Sequence, residues 1–154
     1  MVKISVDKTL SKAKSYTKKG DFEAAYQLYQ KILTNFPNNK RAQKGFRELG
    51  AMHSPPQEKV NQLTKIYNEG QLEIVVTQAI ELLQQYPNSV TIWNIIGAAY
   101  VQLGNPSEAI NALKKVVQLD PYNFETCKNM GILLYGQQKF EEAIDAFKQA
   151  VKIN

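Results

Sequence analysis

The chain has 154 residues, 44% of them hydrophobic and 21% charged, which excludes wholesale disorder and allows a buried core without a disulfide or structural metal. A single Cys excludes an internal disulfide, and a single His excludes a multi-histidine metal site. The net charge of +5 is uneven: residues 1–50 carry eleven Lys and Arg against four Asp and Glu, whereas residues 51–154 carry eight against ten. No apolar run approaches the ~18 residues that a membrane-spanning helix needs. The opening MVKISVDKTLSKAKSY lacks the apolar core of a secretory signal, so a cytoplasmic location is expected.

Self-similarity organises the rest. Pro87 and Pro121, Gly70 and Gly104, Gly97 and Gly131, and Ala109 and Ala143 are each 34 residues apart. Pro37 to Pro87 and Gly20 to Gly70 are both 50 apart, one period plus 16. The chain therefore reads as four units, 6–39, 56–89, 90–123 and 124–154, with an insertion at 40–55 after the first.

Within the units the apolar spacing is helical. In the third, Trp93, Ile96, Gly97 and Tyr100 fall at i, i+3, i+4 and i+7, and Ala109, Leu113 and Val116 do so after a break at Leu103–Pro106. Gly20, Gly70 and Gly104 stand between paired helices, where a left-handed residue ends the first. In the fourth unit Gln138 stands in that place. Asn105-Pro106-Ser107-Glu108 reads as a helix start with Asn capping and Pro in the first turn, and Ser54-Pro55-Pro56-Gln57 gives the same signal. In the insertion, Ala42, Phe46 and Leu49 fall at i, i+4 and i+7, which predicts one amphipathic helix over 40–50. The expectation is an all-α protein of nine helices, two per unit and one unpaired, without a sheet. Residues 1–50 read as a basic three-helix module, 51–55 as a linker and 56–154 as a block of three units. A continuous superhelix through both is the alternative.

The third unit, TIWNIIGAAYVQLGNPSEAINALKKVVQLDP, resembles the tetratricopeptide repeat, W-x2-L-G-x2-Y, then A-x3-F, then P over 34 residues. Trp93, Ile96, Gly97, Tyr100, Ala109, Leu113 and Pro121 stand in those places. The fourth unit matches through Met130, Gly131, Leu134, Ala143, Phe147 and Ala150, with Cys127 in the Trp place. The first matches through Ala13, Tyr16, Gly20, Phe22, Ala25, Tyr29 and Pro37. The second departs most, with Lys59, Gln62 and Leu63 for Trp, Leu and Gly, and Val75 for Ala. The resemblance implies a right-handed superhelix of stacked antiparallel helix pairs with a concave groove.

No catalytic constellation or cofactor motif is found: there is no P-loop, G-x-G-x-x-G or nucleophile elbow. His53 reads as an exposed turn residue, Cys127 as a buried apolar one, and Glu141-Glu142 as acids suited to a helix N-terminus. In the basic module, Lys8, Lys12 and Lys19 share one helical face, Lys14 and Lys18 another, and Lys40, Arg41, Lys44 and Arg47 decorate the inserted helix. Lysines outnumber arginines and no aromatic is interleaved, so nucleic-acid binding is not indicated.

The groove implied by the resemblance is the default site. Its positions are Asn61, Thr64, Tyr67 and Asn68 in the second unit; Thr91, Asn94, Ile95, Ala98 and Gln102 in the third; and Glu125, Lys128, Asn129, Ile132 and Tyr135 in the fourth. Asn61 and Asn129 occupy one repeat place, and Asn94 lies one residue before it. A carboxamide both donates and accepts, so an Asn ladder can pair with an extended peptide backbone. Family members that modify proteins with sugars are similar here. The family's Lys/Asn/Arg clamp for acidic chaperone C-termini is not reproduced, since no Arg follows Arg47.

Two functions fit: a non-enzymatic scaffold binding a peptide or partner helix, or the leading repeats of a larger glycosyl- or sulfotransferase. The stop at Asn154, one residue before the next repeat proline, favours the second. At that end part of the apolar set Ile144, Phe147, Val151 and Ile153 is expected to face outward and support self-association through the last helix, the alternative being that these residues pack inward on Gly131 and Leu134.

Overall fold

The computed structural model describes residues 5–52 and 54–153, so His53 and the terminal Asn154 lie outside the described residues. Nine α-helices and no strand are present among them. Two compact units divide the chain, Met1–His53 and Ser54–Asn154. No helix among the described residues is long and apolar enough to cross a membrane.

The first unit holds α1 (Val6–Lys19), α2 (Phe22–Asn35) and α3 (Lys40–Met52). Leu10 and Ala13 of α1, Ala25, Tyr29, Ile32 and Leu33 of α2, and Ala42, Phe46 and Leu49 of α3 are buried. These are the spacings that made each segment amphipathic, and α3 shares its apolar face with α2 rather than standing alone. Tyr26 and Phe46 stack with ring centroids 4.7 Å apart. α3 extends to Met52, two residues past its predicted end.

The second unit is three pairs: α4 (Gln57–Asn68) with α5 (Leu72–Gln85), α6 (Val90–Gln102) with α7 (Pro106–Leu119), and α8 (Phe124–Gly136) with α9 (Phe140–Ile153). Gly20, Gly70 and Gly104 adopt φ of 77°, 76° and 71°, the left-handed conformation expected of them. Gln138 adopts the same conformation, with φ 61°. Its N–H donates to Tyr135 O and the next N–H, of Lys139, reaches back to Leu134 O, the same pair of bonds that Gly104 and Asn105 make to Val101 and Tyr100.

The phrases NFPNN, QYPNS and LDPYN prove to be one device used three times. In each, the N–H three residues on closes a turn around the proline: Asn39 to Phe36 O, Ser89 to Tyr86 O and Asn123 to Asp120 O. The closing residue then caps the next helix, as Asn39 Oδ1, Ser89 Oγ and Asn123 Oδ1 accept from the N–H of Ala42, Ile92 and Thr126. The caps expected elsewhere are absent. Asn105 stands at the N-cap of α7 but makes no capping hydrogen bond, and α4 begins after Pro56 rather than on it. Pro106 already fixes the first turn of α7, so its start does not depend on the Asn105 side chain.

The core of the second unit differs from the predicted single stripe. Ile92, Ile96 and Ala99 of α6 are fully buried, whereas Trp93 and Tyr100 are half-buried against the same cluster. Trp93 Nε1 donates to Pro87 O at 3.0 Å, so the indole lies over the inter-repeat turn with its polar edge satisfied. Ala109 and Ala143 are buried where the paired helices meet. Of the C-terminal apolar set, Phe147 packs inward over Gly131 among Ile110, Leu134 and Ala146, the alternative expected for it. Ile144 and Val151 do remain exposed, at 51% and 72%.

Candidate functional site

Helices α4, α6 and α8 are the first members of their pairs, and their outward faces carry most of the predicted groove residues. A cavity of about 540 Å³ is lined by Asn94, Gly97, Ala98, Val101 and Gln102 of α6, Asn129, Ile132 and Leu133 of α8, Leu113 of α7 and Tyr67 of α4. A second cavity, about 240 Å³, lies between α4 and α6 and is lined by Thr64, Tyr67, Asn68, Ile95 and Ala98. Gln102 Nε2 donates to Tyr67 Oη at 2.7 Å, tying α6 to α4.

Nine predicted residues are thus brought to the two cavities: Thr64, Tyr67, Asn68, Asn94, Ile95, Ala98, Gln102, Asn129 and Ile132. Thr91, Glu125, Asn61, Lys128 and Tyr135 are in neither lining. The Asn61 amide oxygen accepts from Gln57 Nε2 at 2.9 Å, on the solvent side of α4. Lys128 pairs with Glu125 one turn back and lies 5.5 Å from the Phe124 ring centroid. Tyr135 stands edge-on to Phe140, centroids 5.5 Å apart, and is 64% exposed. Of the three Asn residues of the expected ladder, Asn94 and Asn129 line the larger cavity and Asn61 lines neither.

The groove register did not include Gly97, Val101, Leu113 and Leu133, of which Gly97 and Leu113 were read as packing positions. Leu113 reaches the cavity because Gly97 lies beside it: a Cβ built on Gly97 would stand 3.2 Å from Leu113 Cδ2. Tyr67 is the one titratable side chain among the lining residues of both cavities, so this surface offers carboxamides, a phenol and hydrocarbon but no fixed charge. Among the described residues no cluster of three or more metal-binding side chains occurs. Cys127 is fully buried; burial pushes its thiol above the ordinary range and the Asp120 carboxylate adds to that. Such a thiol is a packing group rather than a nucleophile.

Paired antiparallel helices repeating every 34 residues define a helical-repeat protein. Family profiles described as tetratricopeptide repeat match residues 10–39, 71–124 and 100–154, and the chain belongs to that family. Protein CTR9 homolog of Arabidopsis thaliana is 30% identical over 138 residues, 90% of this chain and 12% of that protein. The chain spans a quarter or less of the length of the curated relatives it matches. Among solved structures, MamA superposes with a TM-score of 0.61 at 17% identity, over 92% of this chain and 93% of MamA. The first TPR of Spaghetti (RPAP3), bound to HSP90 peptide SRMEEVD, gives 0.58 at 16% identity, over 66% of this chain and 83% of that one. These structural likenesses speak for the fold.

Proposed function

We propose that residues 54–154 form a non-catalytic protein-interaction scaffold that holds an extended peptide segment across α4, α6 and α8. The observation that carries this reading is the cavity of about 540 Å³ with Asn94 and Asn129 in its lining. Each carboxamide can pair with both the N–H and the C=O of a passing backbone, so it holds a chain without reading its side chains. The RPAP3 repeat, similar in fold, supports peptide capture as a use of this architecture. The chemistry of the occupant differs, because an acidic peptide such as SRMEEVD would meet no cationic side chain in this lining.

The test is selection of a displayed random peptide library on the purified chain, followed by calorimetry with a recovered peptide. The Asn94→Ala/Asn129→Ala double variant is expected to bind about tenfold more weakly or worse, from the loss of two or more hydrogen bonds of about 1 kcal/mol each. Its melting temperature should stay close to that of the parent. Unchanged affinity overturns the proposal.

A further inference from the structure

Resting on the groove reading above, we infer that the Tyr67–Gln102 bridge is a specificity bar that makes the groove select uncharged segments with two apolar side chains at i and i+3. Tyr67 and Ala98 line both cavities, so the two are neighbours that share a wall. That wall is held by the 2.7 Å hydrogen bond from Gln102 Nε2 to Tyr67 Oη, which joins residues 35 apart in sequence. The Tyr67 ring is half-buried against Ala99, Val75 and Val76, which fixes its base while its hydroxyl spans to α6. A peptide backbone can cross such a bar, but its side chains must drop on either side of it.

The spacing follows from helix packing. The two cavities lie on opposite flanks of α6, so their centres are separated by about one interhelical distance, roughly 8–10 Å. An extended chain of the polyproline type rises about 3.1 Å per residue and turns once in three residues. Positions i and i+3 therefore project the same way at about 9 Å. A β-strand would point i and i+3 to opposite faces. The larger cavity, floored by Leu113, Val101 and Leu133, takes a large apolar side chain. The smaller, with Ile95 and Ala98, takes a smaller one. Neither lining supplies a counter-charge, so acidic and basic residues are selected against at both positions.

The experiment uses the library of displayed random peptides of about twelve residues, enough to cross both cavities at about 3.1 Å per residue. On the parent chain, recovered sequences should share an uncharged apolar pair at i and i+3. A synthetic copy with the pair moved to i and i+2 should bind about tenfold more weakly. In Gln102→Ala, which removes the bar, that tenfold preference should vanish, the i, i+2 and i, i+3 peptides binding equally. Tyr67→Ala should relax the spacing in the same way, with circular dichroism verifying that the helices persist. A consensus with one apolar position, a charged residue at either position, or a spacing preference that survives Gln102→Ala overturns the bar. Peptides that lose affinity in Asn94→Ala/Asn129→Ala yet show no spacing preference would sink this inference and leave the groove reading standing. Peptides indifferent to that double variant would sink both.

Discussion

Gly131 faces Phe147 so closely that a Cβ built on it would stand 2.6 Å from Phe147 Cε1 and 2.8 Å from Cδ1. The ring lies flat in the space that a side chain on α8 would otherwise fill, and this lets α8 and α9 pack closely. Gly97 has the equivalent relation to Leu113 with more room, at 3.2 Å from Cδ2. Gly131→Ala is therefore expected to cost about 1–3 kcal/mol of overpacking, more than the roughly 1 kcal/mol of helix propensity gained. Gly97→Ala should cost less, since the end of a leucine rotates aside more easily than a packed ring. Urea denaturation of the two variants beside the parent measures both; equal effects would contradict the ranking.

Gln138 holds a left-handed backbone that an L side chain tolerates poorly, yet both turn hydrogen bonds form around it. Non-glycine residues carry about 1–2 kcal/mol of strain in this region, partly offset by the greater entropy glycine loses on folding. Gln138→Gly should therefore stabilise the second unit by about 1 kcal/mol, read as a raised urea midpoint with an unchanged slope. A lowered midpoint would show that the Gln137–Gln138 side chains contribute more than the strain costs.

Alkaline pH should weaken the second unit through Cys127 and Tyr122. Burial raises both above their ordinary values, with Asp120 adding to the shift of Cys127. Above the unfolded thiol's pKa of about 8.5 the unfolded chain releases a proton that the folded chain still holds. The folded state then binds more protons, and stability falls as pH rises. The contribution is fully present below about pH 8.5 and is lost as pH climbs toward the raised folded value. Stability measured from pH 7 to 10 should decline, and Cys127→Ala should make the decline shallower. An unchanged slope in Cys127→Ala would show that the thiol is not coupled to folding.

Phe147 and Val151 are one turn apart on α9 and should respond oppositely to change. Phe147 packs into the cluster of Ile110, Leu134 and Ala143, whereas Val151 is 72% exposed. Phe147→Ala should cost about 3 kcal/mol, the low end for a large aromatic truncation because the ring is only partly buried. Val151→Glu should stay within about 0.5 kcal/mol. Thermal melts of the two variants distinguish them directly.

The helices and turns were legible in the order of residues because their causes are local. A 3.6-residue apolar spacing buries one face wherever the neighbour lies, and a left-handed residue ends a helix by its own sterics. A 34-residue repeat of Gly20-like turns and Pro37-like phrases therefore announces stacked helix pairs without coordinates. Even the turn-and-cap function of NFPNN, QYPNS and LDPYN is local, because the Asn or Ser two residues after each proline both closes the turn and caps the next helix. The groove depended on tertiary structure. Whether Asn61 or Asn94 faces a cavity turns on which face of α4 and of α6 lies against a neighbouring helix. Tyr67 reaches Gln102 only because α4 and α6 lie side by side. Phe147 leaves the open edge of α9 because Gly131, sixteen residues earlier, vacates a space of its size. Each of these is decided by distances between helices, and those distances are set by every side chain between them at once.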